Sequence, residues 1–280
     1  MKTIAIIGQG YIGTYLYNCL RSEDLNVIAL TRSSFDYTNF YNIQNFFDST
    51  QVDYVINCAG FTGRPNIEEA EIKKDECWNA NVTVPTTINR ICRERGINYI
   101  FVSTGCIYNG YDKPFSENDA PNFGLYCDKA PFYSKTKHAY ELTAGDFGMT
   151  LRIRLPFCTV NSNRSLLSKV LAYDNLLNNR NSKTSLKDLG RFLNFIIHNE
   201  YNVCNTGILN FTNPEPLLIT DIVNLLINYN HRNPKWKIVD PTDNTKIVRS
   251  NCTLSTEKLS NLFPGFKLQT EHESIVEALA

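Results

Sequence analysis

The sequence lacks a charge imbalance. Its 280 residues carry 28 Lys and Arg against 28 Asp and Glu, which gives no support for nucleic-acid or membrane-surface binding through bulk charge. It also lacks an apolar run long enough to span a bilayer. Residues 1–8 are too short an apolar run for a signal peptide and end in a glycine loop, so they read as a buried first strand. No CxxC pair occurs among the nine cysteines, Cys19, Cys58, Cys77, Cys92, Cys106, Cys127, Cys158, Cys204 and Cys252. With an odd count and no secretion signal, reduced thiols in a cytoplasmic setting are expected, and a metal site is not. Internal repeats and low-complexity linkers are missing too. At this length the chain can bury a full core, as one large domain or two small ones.

What is present is an alternation. Strand patterns fall at 3–7, 26–30, 54–58, 99–103 and 150–155. Helical patterns lie between them at 12–21, 43–48, 80–95 and 130–144. Strands alternating with helices imply a parallel sheet with right-handed crossovers. After Pro156 the pattern changes to a polar stretch, 161–186, with one short helix around 166–177. A long helix is expected at 186–199, a strand at 207–211, a helix at 219–229, a strand near 235–239 and a small helix at 256–262. The fold class expected is α/β: a Rossmann-type doubly wound parallel sheet with a smaller α/β cap grown from its C-terminal edge.

Gly8-Gln9-Gly10-Tyr11-Ile12-Gly13 follows the first strand and opens a helix. Glycines at these points allow a tight turn, close backbone approach to a pyrophosphate and close helix–sheet packing, with the helix N-terminus facing the anion. The second strand ends Thr31-Arg32-Ser33. An acidic residue there would grip a ribose 2′-hydroxyl; an Arg among hydroxyls suits a 2′-phosphate. NADPH (NADP+) is therefore expected over NADH, the alternative. Asp36 and Tyr37 could border the adenine. Cys58, Ala59 and Gly60 end the third strand with small residues where the cofactor would pass, and Asn81 lies in the segment behind them.

Tyr133 and Lys137 stand four apart in a segment free of Pro and Gly, which stacks them on one helix face. An ammonium near a phenol favours the phenolate, so this pair is expected to exchange a proton near neutral pH. Thr104 is a second hydroxyl able to share a substrate oxygen. Cys106, two residues on, is an ionisable thiol that a plain reductase has no need of.

A Thr–Tyr–Lys set behind an N-terminal glycine loop resembles the extended short-chain dehydrogenase/reductases, which act on nucleotide sugars. Several segments narrow this. They include Gly63-Arg64-Pro65-Asn66, Thr104-Gly105-Cys106, Asp119-Ala120-Pro121-Asn122, Leu151-Arg152-Ile153-Arg154-Leu155-Pro156, Asn210-Phe211-Thr212-Asn213-Pro214 and Arg249-Ser250-Asn251. Together they resemble the bifunctional 3,5-epimerase/4-reductases that turn UDP-4-keto-6-deoxyglucose into UDP-L-rhamnose. The resemblance implies an NADP-binding domain at 1–160, to which 187–213 return, and a nucleotide-sugar-binding cap from 161–186 and 214–280. Pro156 is then expected at the cofactor. Thr62, Arg64, Asn66, Gly105, Asn122 and Asn210 are expected to line the sugar pocket, and Arg249 to meet the diphosphate in bidentate fashion. The family pattern also implies Lys169 as the acid–base partner of Cys106.

The chemistry is coherent. A 4-keto group acidifies carbons 3 and 5, and Thr104 and Tyr133 would stabilise the enolate oxygen. Cys106 and Lys169 would exchange protons on opposite ring faces. Tyr133 would then protonate the new 4-hydroxyl, with Lys137 holding the nicotinamide ribose. A separate 4,6-dehydratase would supply the keto sugar, and a homodimer is compatible. Two rivals stand beside this reading: a dTDP-4-keto-rhamnose reductase without epimerase activity, and a non-catalytic NADP-binding regulatory subunit.

Overall fold

A computed structural model of the protein describes residues 1–63, 67–239 and 249–280. Its elements, in chain order, begin with β1 (Lys2–Ile7), α1 (Tyr11–Leu20), β2 (Leu25–Leu30), α2 (Phe40–Ser49) and β3 (Tyr54–Asn57). Then come α3 (Glu69–Ile72), α4 (Lys74–Trp78), a π-helical turn (Asn79–Thr83), α5 (Val84–Arg95), β4 (Asn98–Thr104), β5 (Gly110–Phe115) and α6 (Phe132–Ala144). The second half holds β6 (Met149–Ile153), β7 (Pro156–Phe157), α7 (Leu166–Ala172), β8 (Asn175–Leu177), β9 (Thr184–Ser185), α8 (Leu186–His198) and β10 (Gly207–Asn210). It ends with α9 (Ile219–Asn228), β11 (Lys237–Val239), β12 (Cys252–Leu254), α10 (Glu257–Leu262) and α11 (Glu271–Leu279). No helix among the described residues is long and apolar enough to cross a membrane.

Six strands form one parallel sheet in the order β10-β6-β4-β3-β1-β2. The expected α/β doubly wound sheet is what the chain forms. Because β1 is buried on both faces, its side chains divide by period 2. Ile4 and Ile6 point into a core with Leu16, Leu189 and Phe192, from α1 and α8. Ala5 and Ile7 point into a second core with Ile43, Ile88 and Tyr140, from α2, α5 and α6. The chain winds one way from β1 to β2 and the other way from β1 to β3. That reversal opens a crevice at the strands' carboxyl ends, the usual ligand position in such sheets.

Local chemistry sets the helix ends. Asn39 caps α2 by accepting from Tyr41 N. Gly96 stops α5 in the left-handed region at φ 65°. Thr270 and Glu273 form a capping box at α11. A third core gathers Phe157, Leu167, Val170, Ile222, Leu226 and Ile275, mostly from the second half of the chain.

Four expectations need correction. The helix around 166–177 ends at Ala172, and 175–177 is strand β8, paired to β11. The 80–95 helix opens as a π-helical turn continuing from α4. The 130–144 helix begins at Phe132, because Pro131 sits at its N-cap. The strand at 150–155 ends at Ile153, and Leu155 takes a left-handed φ of 38° that bends the chain before Pro156.

Candidate active site

The crevice begins at the glycine loop, and its three glycines serve different ends. Gly8 has φ 88°, and a Cβ there would lie 2.6 Å from Ala59 N. A Cβ on Gly13 would lie 1.9 Å from Gly8 O. Both are demanded by packing within the chain. A Cβ on Gly10 would meet no atom within 4 Å, so packing does not explain it; close approach of a ligand does. Gly10 is also the N-cap of α1 and offers no side-chain cap, which leaves the helix's first N–H groups free for an anion. Gln9 turns inward to the Ile6 carbonyl, and the Tyr11 hydroxyl donates to Cys158 Sγ at 3.3 Å. These side chains shape the loop, while its backbone faces the crevice.

Beside the loop lies a small open cleft lined by Arg32, Tyr37, Ala59, Gly60, Phe61 and Ala80. The Arg32 guanidinium stands 5.9 Å from the Tyr37 ring centroid. Thr31 and Ser33 hydroxyls lie 3.1 Å apart beside it. Asp36, the nearby acid, is turned away from any ribose role: its carboxylate accepts from Thr38 N and Oγ1. Cation, aromatic face and small-residue wall fit an adenosine 2′-phosphate.

At the other end, Thr104 closes β4, and Tyr133 and Lys137 lie on α6. Lys137 is 4 % exposed. Its ammonium sits 4.9 Å from the Phe101 ring centroid and 5.9 Å from that of Tyr133. Burial pushes its pKa down to about 8. A Cβ on Gly60 would come within 3.2 Å of Lys137 Nζ, so glycine brings the β3 loop against the ammonium. For Tyr133 the expected pKa direction is reversed. Burial raises the phenol, neighbouring Cys106 raises it further, and a hydrogen bond with Thr104 only partly offsets this. Desolvation dominates, so the phenol is protonated, the form a proton donor needs. Asn81 does not face the cofactor freely. Its amide accepts from Phe61 N at 2.8 Å and donates to Phe61 O and Thr136 Oγ1, tying the β3 loop to α6.

Cys106 is half-buried. Its N–H donates to Thr104 Oγ1 at 3.1 Å, and its carbonyl accepts from Ser134 at 2.7 Å, so β4 and α6 fix it together. Lys169 stands on α7, open to solvent; partial burial, then Arg164 and Arg249, hold its ammonium below the usual lysine value. Thr62 is exposed on the β3 loop, and Pro156 opens β7. Asn122 closes a loop by bonding both N–H and C=O of Asn109. Asn210 is fully buried, donating to the Phe115 and Ser255 carbonyls at 3.0 Å each. It clamps the sheet edge, and its amide hydrogens are not available to a sugar. Arg64 and Asn66 lie outside the described residues. His138 packs away from the pair, accepting from Leu125 N.

Arg154 was not singled out in the sequence. Its Nη1 lies 3.8 Å from Cys106 Sγ. The only sequence signal for it was its place in Leu151-Arg152-Ile153-Arg154-Leu155-Pro156, where an Arg inside a buried strand needs a reason.

Residues 1–146 match the family described as RmlD substrate binding domain. A bifunctional dTDP-4-dehydrorhamnose 3,5-epimerase/dTDP-4-dehydrorhamnose reductase of Arabidopsis thaliana is 34% identical over 245 residues, covering 82% of this chain and 77% of that protein. A trifunctional UDP-glucose 4,6-dehydratase/UDP-4-keto-6-deoxy-D-glucose 3,5-epimerase/UDP-4-keto-L-rhamnose-reductase of the same plant is 34% identical over 243 residues. That match covers 82% of this chain, which spans about a third (34%) of the longer protein. The crystal structure of the UDP-rhamnose synthase from Acanthamoeba polyphaga mimivirus superposes with a TM-score of 0.85 at 25% identity, covering 99% of this chain and 98% of that one. Solved structures of the same fold hold NADP or NAD. With the glycine loop, the Arg32 cleft and the Thr104/Tyr133/Lys137 set in place, the chain belongs to the RmlD substrate-binding-domain family of nucleotide-sugar reductases.

Proposed function

We propose that this protein converts UDP-4-keto-6-deoxy-D-glucose to UDP-L-rhamnose, by epimerisation at carbons 3 and 5 followed by reduction at carbon 4. The observation that carries this reading is Cys106. It stands next to Tyr133 in a site that already holds a reductase's hydroxyls and lysine. Reduction needs no thiol there, whereas inversion at a carbon beside a ketone needs a proton taken on one face and returned on the other. Thr104 and Tyr133 donate to the 4-keto oxygen and stabilise the enolate as its charge develops. Cys106 serves one ring face and Lys169 the other; the lowered lysine pKa gives it a larger neutral fraction, as a base requires. Bound NADPH supplies the hydride to carbon 4. Tyr133, held protonated by burial, gives its proton to the oxygen, and Lys137 binds the nicotinamide ribose beside Gly60. The keto sugar comes from a 4,6-dehydratase reaction.

A specific observation favours a second reading. Lys169 keeps company with Arg164 and Arg249, and three cations suit a diphosphate as well as one suits a base. With Lys169 binding phosphate, the chain would be a 4-keto-rhamnose reductase without epimerase activity. One experiment separates the two. UDP-4-keto-6-deoxyglucose is supplied in D2O without NADPH, and deuterium at carbons 3 and 5 is read by NMR. Exchange that is lost in Cys106→Ala, while an already epimerised keto sugar is still reduced, supports the bifunctional enzyme. No exchange in the wild type leaves the reductase.

A further inference from the structure

Two buried arginines lie two residues apart and are served differently. Arg152 and Arg154 are each 2 % exposed. Arg152 is gripped by both oxygens of Glu141, at 3.0 Å from Nε and 2.7 Å from Nη2. Arg154, past the end of β6, meets only neutral acceptors among the described residues. Nη1 donates to the Gly105 carbonyl at 3.1 Å and Ser250 Oγ at 2.7 Å; Nη2 donates to Asn181 Oδ1 and the Ser250 carbonyl, both at 3.1 Å. Among the described residues its Nε has no partner. A Cβ on Gly105 would fall within 3.1 Å of the Arg154 stem, so glycine at 105 lets the guanidinium pass beneath the Thr104–Cys106 turn.

A cation this deep is unfavourable without an anion. Two thiols reach it among the described residues: Cys106 Sγ, 3.8 Å from Nη1, and Cys252, which its deeper burial keeps neutral. We propose that Arg154 is the counter-ion of the Cys106 thiolate, a positioning residue that acts through the sulfur. Its part in epimerisation rests on the bifunctional reading above. When the Sγ–H bond breaks, its electron pair stays on sulfur and the proton forms the new C–H bond at the enolate carbon. The enolate electrons close that bond as the ketone re-forms, and water later reprotonates the sulfur. The negative charge left behind lies against the guanidinium.

The other titratable groups near the sulfur do not compete for this role. Burial raises Tyr133, from α6, and Cys252, from β12, so both stay neutral. Lys183 and Tyr111 lie near Arg154. Lys183 is matched by Glu271 at 2.7 Å, and the raised Tyr111 phenol is neutral.

The test follows iodoacetamide alkylation of Cys106 across pH, by peptide mass spectrometry, in the intact enzyme. Arg154→Met should slow alkylation near neutral pH by about tenfold, recovered about one pH unit higher. Arg154→Lys, which keeps the charge, should stay close to wild type. Asn181→Asp should slow alkylation in the same direction, because a carboxylate on Nη2 neutralises the guanidinium while leaving it in place. Should the Met variant not fold, the Asp variant decides alone. An unshifted Cys106 profile in the folded variants overturns the proposal. So does equal loss in the Lys and Met variants with no recovery at high pH. If wild type shows no exchange at carbons 3 and 5 yet the profile shifts, the epimerase reading fails and the counter-ion stands. If exchange is intact and the profile does not move, the counter-ion fails alone.

Discussion

The two halves of the crevice are built by different means. The half proposed for the nucleotide is made mostly of backbone at strand ends: Gly8 and Gly10 after β1, Ala59 and Gly60 after β3, and the free N-terminus of α1. Each piece is set by a few adjacent residues. The half proposed for the sugar is assembled from side chains far apart in the chain. Arg154 holds Ser250, 96 residues away, and Cys252 Sγ reaches the Gly105 carbonyl across 147. Leu254 N donates to Ser182 Oγ, and β12 pairs with β5. A site half made of backbone tolerates side-chain change outside its glycines. A half made of interlocked side chains couples binding to stability, and substitutions should separate the two behaviours.

The largest effect should come where the halves meet. Tyr133→Phe removes the proton donor but leaves the loop and the Arg32 cleft untouched. Reductive turnover should fall by about 10²–10⁴-fold, the usual worth of a positioned acid. NADPH affinity, measured by fluorescence titration, should hardly change. Turnover near the wild-type rate would show that the phenol is not the donor, and a matching loss of affinity would erase the distinction between the halves.

This contrast also explains what could be read in advance. The glycine loop, the Arg32 position and the Thr104/Tyr133/Lys137 spacing are local patterns, and the parallel sheet, though not its strand order, followed from strand–helix alternation. Residues whose roles depend on distant partners could not be placed. Asn210 lies in one of the segments that carry the family resemblance, which places it at the sugar, but it clamps Phe115 and Ser255. Arg154 is not legible in the sequence because its partners, Asn181, Ser250 and Cys106, come together only in the fold. The Tyr133 pKa was misjudged for a related reason: helical spacing shows a lysine one turn away but not how much water burial removes. Strand β12 and helix α11 gave too short a pattern to stand out.

Lys137→Met tests a residue that serves the site at the expense of the fold. A lysine whose folded pKa is about 8, against about 10.4 in an unfolded chain, opposes folding while charged. Between those values the unfolded chain binds more protons, so wild-type stability rises with pH through that window. Below it the penalty is complete. The methionine variant should gain on the order of 2–3 kcal/mol at pH 7 and lose the alkaline rise, as read by urea unfolding at pH 7 and pH 10. Equal gains at both values would mean that packing, not charge, is responsible.

Asn210→Ala belongs to the interlocked half but not to the sugar. It strands two buried carbonyls, and stability should drop by about 1–3 kcal/mol. The KM for the keto sugar should be unchanged in the folded fraction. A raised KM at unchanged stability would return Asn210 to the sugar pocket.

The smallest effect is expected at Arg32, where the nucleotide half relies on a side chain after all. The guanidinium is exposed on the β2 loop, near the Tyr37 ring and within electrostatic reach of Asp36, so its removal disturbs no core. What it offers a ligand is a charge-assisted contact with a 2′-phosphate, weakened by solvent. Arg32→Ala should therefore weaken NADPH by about 1–2 kcal/mol, roughly 5- to 30-fold in Kd, and leave NADH almost unaffected. The NADPH loss should shrink as salt rises, since an exposed ion contact is screened within about 8–10 Å at physiological ionic strength. Titrating both cofactors against both proteins at two salt concentrations gives the answer. Equal losses for NADPH and NADH would make Arg32 a general part of the adenosine wall, acting through Tyr37, and the discrimination would then have to come from the Thr31 and Ser33 hydroxyls.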